Sequence, residues 1–316
     1  MKRTLVASLM PSLVYLSVSF VLMAIILIFV ATYNPLQHGS AILLTGGLDQ
    51  ISEKTMELFY PDDPSQNRLL NTELDSSRQF HIAASLPEGL VLLAGGADSS
   101  AEIFSPHNFH VIEAEAMIFG RNGAAVALIG ESAFVCGGQR DSTGPTDTCE
   151  RFSCGQWQCV ASMHHRRNSP AMVQFNRYLY VFGGHNVTAV ERYDMKRDNW
   201  TVVGQMKRTL DGLSAAVLEE SIFLCGGVNR LGQILDDCDR YEPETDRWTK
   251  IAPMKHKRNG FSLIALGRHL YALGGVSYEV ERVVERYDPS NNKWTLLKQK
   301  LIYPRRASAG LILNIR

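Results

Sequence analysis

The sequence has no excess of charge of either sign, and it lacks the short motifs that mark most enzymes. Its 316 residues carry 32 basic and 32 acidic side chains, so no overall field favours nucleic acid. It contains no nucleophile elbow, His-Glu-x-x-His run, phosphate loop or dinucleotide fingerprint. It also contains no Cys-x-x-Cys pair, which argues against a zinc site. We therefore expect no catalytic residues, no metal, no cofactor and no nucleic-acid partner.

Charged residues are also absent from a long stretch near the N-terminus. Between Arg3 and Asp49 there is no Asp, Glu, Lys or Arg, and residues 13–31 form a run of nineteen mostly apolar residues. A bilayer core of about 30 Å needs about 20 helical residues, so this run predicts a transmembrane helix. A cleaved signal peptide has a shorter apolar region, and residues 29–31 resemble its cleavage site poorly. We expect an uncleaved anchor; the alternatives are a cleaved signal peptide and a segment buried in the domain.

The charges that flank the apolar run predict its orientation. Lys2 and Arg3 precede it, and the stretch that follows is uncharged. The positive-inside rule therefore predicts a single-pass type II protein, with residues 1–33 as cytosolic tail and membrane anchor and residues 34–316 as an extracytoplasmic domain. The alternatives are a secreted protein and a domain that faces the cytosol.

The rest of the chain is an internal repeat. Six Gly-Gly pairs each end a short apolar run, and successive pairs are 49, 42, 46, 43 and 48 residues apart. This period is typical of one four-stranded propeller blade. The pairs begin at Gly46, Gly95, Gly137, Gly183, Gly226 and Gly274.

Each Gly-Gly pair is followed by an acid, and two residues later by an aromatic. The acids are Glu57, Glu102, Glu150, Glu191, Asp239 and Glu285, and the aromatics are Phe59, Phe104, Phe152, Tyr193, Tyr241 and Tyr287. A tryptophan comes next in blades three to six, while Phe109 or Val111 is the substitute in blade two. Because one acid recurs per blade at a fixed position, we expect structural acceptors for buried backbone or arginine donors rather than catalytic pairs.

These linked marks resemble the kelch-repeat family over roughly residues 40 to 315. The resemblance implies an all-β, six-bladed β-propeller. The last residues, 306–315, match the opening strand of the other repeats and have no repeat after them, whereas the first repeat lacks such a strand. We therefore predict that the C-terminal strand completes blade one and closes the ring, which removes the exposed sheet edges.

A basic residue opens most repeats and supplies the candidate binding site. In kelch adaptors such an arginine lines the partner-binding face, and the planar guanidinium suits paired hydrogen bonds to carboxylates. The resemblance thus implies partner-binding roles for Arg78, Arg121, Arg167, Arg258 and Arg306. The alternative is a structural role in which the arginines pair with the repeat acids. If they bind a partner, replacing Arg121, Arg167 and Arg258 by alanine removes binding with little loss of thermal stability.

Six cysteines form three candidate disulfides. Cys136 and Cys149 are 13 residues apart, and Cys225 and Cys238 repeat this placement and spacing. Cys154 and Cys159 flank a short hairpin in blade three. The even count behind an export signal favours disulfides; the alternative is that the cysteines are small core residues. Asn186 begins an acceptor triplet for glycosylation.

Two functions remain open at the level of sequence. The first is a membrane-tethered, non-enzymatic module that binds an acidic protein or peptide through its arginine-bearing face. About forty residues precede blade one, which leaves no room for a BTB domain and argues against a complete ubiquitin-ligase adaptor. The second is an exported carbohydrate-active or redox enzyme, similar to sialate mutarotases or galactose oxidases. Carboxylates, His and Tyr that converge in the central pocket favour the second function.

Overall fold

The computed structural model describes residues 40–47, 52–96, 98–140, 143–277 and 279–314. No helix within these ranges is long and apolar enough to cross a membrane. The cytosolic tail and anchor predicted for residues 1–33, including the apolar run 13–31, lie outside the described residues. The described part of the chain forms one compact unit that begins at Ser40.

Six four-stranded antiparallel sheets form the blades. From the inner to the outer strand, blade one is β26 (Ala309–Asn314), β1 (Ser40–Thr45), β2 (Met56–Phe59) and β3 (Arg68–Leu69); blade two is β4 (Ile82–Ser85), β5 (Val91–Ala94), β6 (Ala101–Ser105) and β7 (His110–Ala114); blade three is β8 (Ala125–Ile129), β9 (Ser132–Cys136), β12 (Cys149–Ser153) and β13 (Gln156–Val160).

The second half of the ring repeats this order. Blade four is β14 (Ala171–Phe175), β15 (Tyr178–Phe182), β16 (Ala189–Asp194) and β17 (Asn199–Gln205); blade five is β18 (Ser214–Leu218), β19 (Ser221–Cys225), β20 (Cys238–Glu242) and β21 (Arg247–Ile251); blade six is β22 (Ser262–Leu266), β23 (His269–Leu273), β24 (Val283–Asp288) and β25 (Lys293–Lys300). A small hairpin of β10 (Gln139–Arg140) and β11 (Gly144–Pro145) extends from blade three, and two 3-10 turns cover Pro64–Gln66 and Pro87–Gly89.

The inner strands contact one another around a closed ring, in the order β4, β8, β14, β18, β22, β26 and back to β4. The predicted six-bladed propeller is therefore confirmed. Its closure is also confirmed, because β26 pairs with β1 along its whole length, from Ser40 opposite Asn314 to Thr45 opposite Ala309. At Gly310 an added Cβ would lie 2.8 Å from the hydroxyl oxygen of Ser262, so the closing strand packs closely against blade six.

Burial along the strands follows their place in a blade. The second strands are buried after their first residue, and Val91–Ala94 is buried throughout, because neighbouring blades cover both of their faces. The outer strands mix exposed with buried or partly buried residues. In Asn199–Gln205, for example, Trp200 is buried between exposed neighbours. Trp200 packs against Tyr193 with ring centres 5.2 Å apart, and its indole nitrogen donates to the carbonyl of Ala161. In blade two the tryptophan position opposite Phe104 is held by Val111, while Phe109 is 40% exposed.

Six backbone hydrogen bonds close a second, smaller ring at the channel. The amide of one residue in each repeat donates to the carbonyl of its equivalent in the preceding blade, at distances of 2.8–3.0 Å. All six residues have positive φ values, which glycine adopts without the strain that other residues carry. Around the ring they are Phe80, Gly123, Ser169, Gly212, Gly260 and Ala307.

Candidate functional site

Two sets of loops meet at one face of the disc. In a four-stranded antiparallel blade, the loop between the second and third strands lies at the same end as the segment that leads from the outer strand to the next blade. We call this end the channel face. The inter-blade segments are residues 70–81, 115–124, 161–170, 206–213, 252–261 and 301–308, and they contain all of the arginines that the sequence singled out.

Four of the five predicted partner-binding arginines lie in the interior. Arg78, Arg121, Arg167 and Arg258 are each at most 2% exposed. A guanidinium without exposed surface has no access to a partner, so the partner-binding prediction is wrong for these four residues and the structural alternative describes them. It also follows that their joint replacement by alanine changes folding and is no test of binding.

The environment of Arg258 shows what the buried arginines do. Its Nη2 donates to Glu285 Oε1 at 2.9 Å, and its Nη1 donates to the carbonyls of Gly274 and Val283 at 2.6 and 3.0 Å. Glu285 also accepts from the amide of His256. The first glycine of the pair, the repeat acid and the basic opener are therefore parts of one buried cluster, which ties the inter-blade segment to its blade.

The same cluster recurs in five blades. The salt bridges measure 2.8–3.2 Å in the other four, and both partners are buried in every case. The role predicted for the repeat acids is thereby confirmed for Glu57, Glu102, Glu150, Glu191 and Glu285.

In the cluster of blade four, burial acts on the pKa values of both charged partners. Burial lowers the pKa of the Arg167 guanidinium, and the neighbouring Glu191 opposes this change. Burial raises the pKa of Glu191, but hydrogen bonds from Arg167 and from the amide of His164 outweigh it, so the pKa of that carboxyl stays below its usual value. Both groups are therefore ionised at neutral pH and neutralise each other.

Blade one uses a different arginine from the one that the sequence indicated. Arg305, which is fully buried, donates to Glu57 at 3.2 Å and to the carbonyl of Gly46. Arg306, the next residue in the chain, is only partly buried and does not occupy the position of the buried arginine. The two adjacent arginines made this assignment ambiguous, because the repeat pattern fits either of them.

Blade five lacks the cluster. Leu210 occupies the position of the arginine and is 5% exposed, and Asp239 replaces the glutamate. Burial raises the pKa of Asp239, while Arg208 opposes this from 3.6 Å. Arg208 also approaches Asp237 to 3.2 Å and remains about one-third exposed.

The inter-blade segments of blades one, four, five and six also carry basic residues with exposed surface. Arg166, Lys207, Lys255 and Lys257 are exposed, and Arg306 is partly exposed. None of them forms a salt bridge within the described residues. We call these five residues the basic rim. Arg306 is the one predicted partner-binding residue in the rim. The other four rim residues were not predicted from the sequence, because side-chain direction in a loop depends on its tertiary packing.

A cavity of about 370 Å³ lies at the mouth of the channel. Every inter-blade segment contributes to its wall. Among the described residues, the lining holds one histidine and one carboxylate, His81 and Asp211, and no tyrosine. The described residues also contain no group of three or more His, Cys, Asp or Glu side chains placed to hold a metal ion.

The loop between the second and third strands of blade five protrudes from the same face. Leu231 at its tip is 82% exposed. The loop is nevertheless built by hydrogen bonds, because the side-chain oxygen of Asn229 accepts from the amides of Leu231 and Gln233 at 2.9 and 3.0 Å. An ordered turn thus presents a large apolar side chain to solvent.

Two of the three candidate disulfides are present in the structure. Cys136 is bonded to Cys149 and Cys225 to Cys238, each across neighbouring antiparallel strands. Cys154 and Cys159 are free and exposed, so the hairpin disulfide is wrong. The reason is the register of the hairpin: Cys159 lies opposite Glu150, while Cys154 lies in the turn with a φ of 52°.

The candidate glycosylation residue is accessible. Asn186 is exposed on a loop of the channel face with a φ of 60°. Its side-chain oxygen accepts a hydrogen bond from Nε of Arg230 at 3.0 Å. The residue therefore stays a candidate acceptor, next to the protruding loop of blade five.

Comparison with known proteins agrees with the repeat pattern. Residues 120–314 match the KLHDC2/KLHL20/DRC7 Kelch-repeats domain family. The chain is similar to Kelch-like protein 26 of Danio rerio, with 28% identity over 192 residues, or 56% of this chain and 32% of the relative. It is also similar to Kelch-like protein 36 of Bos taurus, with 30% identity over 117 residues, or 34% of this chain and 19% of the relative. The matches thus span about a fifth to a third of these relatives.

Proposed function

The chain belongs to the KLHDC2/KLHL20/DRC7 Kelch-repeats domain family, and from that premise we propose that its propeller is a non-enzymatic module that binds an acidic protein or peptide. The observation that carries the proposal is the basic rim on the channel face. Its members form no salt bridge within the described residues, and only Lys257 and Lys207 lie near enough to an aspartate, Asp237 and Asp239, to lower its pKa. We therefore propose that their charges are available to a ligand. Exposed charges of this kind accelerate association and select partners of opposite charge.

The protruding loop of blade five supplies the apolar part of the same surface. Binding energy at protein interfaces concentrates in a few side chains that become fully desolvated, and charged residues around them add selectivity. Leu231 is exposed on an ordered turn, so it loses little conformational freedom when it is covered. We propose that Leu231 is an apolar anchor beside the basic rim.

The test is selection of peptides from a random phage-displayed library on the purified propeller. The wild-type propeller should enrich sequences rich in Asp and Glu. Exchange of Arg166, Lys207 and Lys257 for glutamate should abolish that enrichment. The matched control exchanges three exposed basic residues near the opposite face, Lys196, Arg247 and Arg268, for glutamate and so has the same net charge.

The outcome distinguishes the rim from the total charge of the protein. If the rim variant loses acidic peptides and the control keeps them, the basic rim is the binding surface. Equal enrichment by both variants contradicts the proposal. Leu231→Ser should lower the affinity for the selected peptides about tenfold or more. Because the side chain is exposed, the free energy of unfolding should change by no more than about 0.5 kcal/mol.

We also propose that residues 13–31 anchor the propeller in a membrane, with the propeller on the extracytoplasmic side. The two disulfides support this orientation, because such bonds persist in oxidising compartments. Protease protection in sealed membranes, with a glycosidase shift on the same sample, tests it. A protected propeller with a shift that depends on Asn186 agrees with the proposal, whereas digestion without a shift contradicts it.

A further inference from the structure

One arginine on the channel face is held in place by an aromatic ring. In the loop between the second and third strands of blade three, the guanidinium carbon of Arg140 lies over the ring of Phe119, 3.6 Å from its centre. The ring face attracts the cation and so restricts its motion. This arginine is particular to blade three. In the other repeats the second residue after the Gly-Gly pair is Asp49, Asp98, Asn186, Asn229 or Ser277.

The ring belongs to a segment that the buried cluster of blade three fixes. Glu150 accepts hydrogen bonds from the amides of Ile118 and Phe119 at 2.7 and 3.2 Å. The same carboxylate accepts from the guanidinium of Arg121, which is buried. The backbone that carries the ring is therefore tied to the interior of the blade.

The backbone of Arg140 is fixed as well. The preceding residue, Gln139, exchanges two backbone hydrogen bonds with Asn122 of the same inter-blade segment, at 2.7 and 3.0 Å. The hydroxyl of Thr143 donates to the carbonyl of Arg140 at 2.9 Å. Because both the backbone and the guanidinium are held before a ligand arrives, binding costs little of the entropy that ordering a free arginine would cost.

The guanidinium of Arg140 has donors that the fold does not use. Within the described residues it forms no salt bridge and donates no hydrogen bond. The residue is partly exposed, and none of its side-chain nitrogens is among the buried polar atoms without a partner, so these nitrogens are open to solvent. Asp98, on the neighbouring loop of blade two, accepts from the amide of Ser100 instead. Arg208, by contrast, forms a salt bridge with Asp237.

The loop that carries Arg140 is hydrogen-bonded to a segment of the basic rim. The amide of Gly138 donates to the carbonyl of Arg167 at 2.8 Å, and Arg167 follows the rim residue Arg166 in the chain. A ligand that contacts the rim at Arg166 therefore has a second cation within the adjoining loop.

We propose that Arg140, held by Phe119, is a specificity-determining residue that binds one aspartate or glutamate side chain of the acidic ligand in paired hydrogen bonds. The planar fork of a guanidinium matches the two oxygens of a carboxylate, which fixes the position of that acid. The basic rim attracts negative charge without fixing a position. The inference rests on the proposed function and adds the residue that selects one position of the ligand.

The first test is peptide selection on the propeller with Arg140 exchanged for lysine. Peptides selected by the wild type should align on one invariant acid. Arg140→Lys keeps the charge but loses the planar fork, so its peptides should stay rich in acids and lose the invariant position. The matched control is Arg247→Lys near the opposite face, which should select the same peptides as the wild type.

The second test measures the coupling between Arg140 and that acid. Changing the invariant acid of a selected peptide to its amide should lower the affinity of the wild type about tenfold or more, and that of Arg140→Lys about threefold or less. Phe119→Leu keeps the arginine but removes the ring, and should lower the affinity of the unchanged peptide about threefold. Arg140→Lys should unfold at the same urea concentration as the wild type, which separates binding from stability.

The third test needs no selected peptide. In propeller with isotope-labelled arginine, the Nε–H signal of Arg140 is assigned by its absence from the spectrum of Arg140→Lys. Nα-acetyl-aspartate amide should shift this signal, and the matched uncharged ligand Nα-acetyl-asparagine amide should not.

The outcomes separate this inference from the proposed function. The inference is overturned if the selected peptides share no invariant acid, if Arg140→Lys keeps that acid, or if aspartate amide shifts the Arg140 signal no more than asparagine amide does. If the wild type selects no acidic peptides, the proposed function is contradicted, and the titration alone decides whether Arg140 binds a carboxylate.

Discussion

Neighbouring residues in the inter-blade segments have opposite environments. Lys257 is exposed, while Arg258 has no exposed surface and is held by Glu285 and two backbone carbonyls. Arginine suits this position because its fixed fork donates in several directions at once, which lysine does not. The charge of the segment is thus divided between a buried structural residue and an exposed one.

Removal of one buried arginine should be strongly destabilising. Arg258→Ala leaves the carboxylate of Glu285 buried without its counter-charge, and the expected loss in the free energy of unfolding is about 3–5 kcal/mol. Lys257→Ala, one residue earlier, should change it by no more than about 0.5 kcal/mol. Urea unfolding followed by fluorescence measures both variants. Equal stability of the two variants would show that the buried cluster is unimportant.

His81 should make the protein sensitive to acid. Because burial holds the native pKa of His81 at about 3, below its usual 6.5, the unfolded chain binds a proton first as the pH falls. The stabilisation is complete above pH 6.5 and is lost as the pH falls from 6.5 towards 3. One proton contributes about 1.4 kcal/mol per pH unit, or about 2 kcal/mol between pH 6.5 and 5.

Comparison with a variant isolates this effect from the carboxylates. Between pH 6.5 and 5 the free energy of unfolding should fall less in His81→Asn than in the wild type. The expected difference is about 2 kcal/mol, the contribution of one proton over this pH range. Denaturant unfolding of both proteins at the two pH values measures the difference. If both lose the same amount, His81 is protonated alike in the native and unfolded chains.

The blade is the element that the disulfides reinforce. Each bond joins the second and third strands of blade three or blade five, next to the Gly-Gly pair, and closes a loop of 13 residues. Blade five lacks the arginine–glutamate cluster but keeps its disulfide, while blade three has both. A disulfide that closes a loop of this length stabilises the protein by about 3 kcal/mol, because the crosslink lowers the conformational entropy of the unfolded chain.

Thiol counting tests the cysteine assignment. Protein prepared under oxidising conditions should show two reactive thiols without denaturation, from Cys154 and Cys159, and six after unfolding and reduction. A Cys154→Ser, Cys159→Ser variant should show none before reduction. Six reactive thiols in the unfolded but unreduced wild type would contradict the strand-pair disulfides, and none would indicate a third bond.

At the scale of the whole molecule, the ring is closed by the last strand. Removing the residues from Ala309 onward deletes β26, exposes the edge of β1 and opens the contacts of blade six with blade one. The truncated chain should show no cooperative thermal transition, whereas Asn314→Ala at the exposed end of the strand should unfold like the wild type.

A second variant keeps the closure testable if truncation prevents expression. Gly310→Val places side-chain atoms where Ser262 and Leu44 already lie, and should cost about 1–3 kcal/mol of unfolding free energy. Calorimetry measures both variants. A truncated chain that keeps the wild-type transition would show that the C-terminal strand does not close the ring.

The sequence by itself determined the number of blades, the closing strand and the tryptophan positions. They rest on local patterns that recur along the chain, six times for the Gly-Gly pairs and four times for the tryptophan, so turn chemistry and apolar runs specify them without knowledge of the neighbours. The structural role of the repeat acids was predictable for the same reason.

Only the tertiary structure decided which charges are available. Arg305 and Arg306 are equivalent in the sequence pattern, yet packing buries the first against Glu57 and leaves the second partly exposed. The residues that line the cavity, such as His81 and Asp211, also come from different blades, far apart in the chain. Burial and the meeting of distant residues depend on ring closure, and no local pattern encodes them.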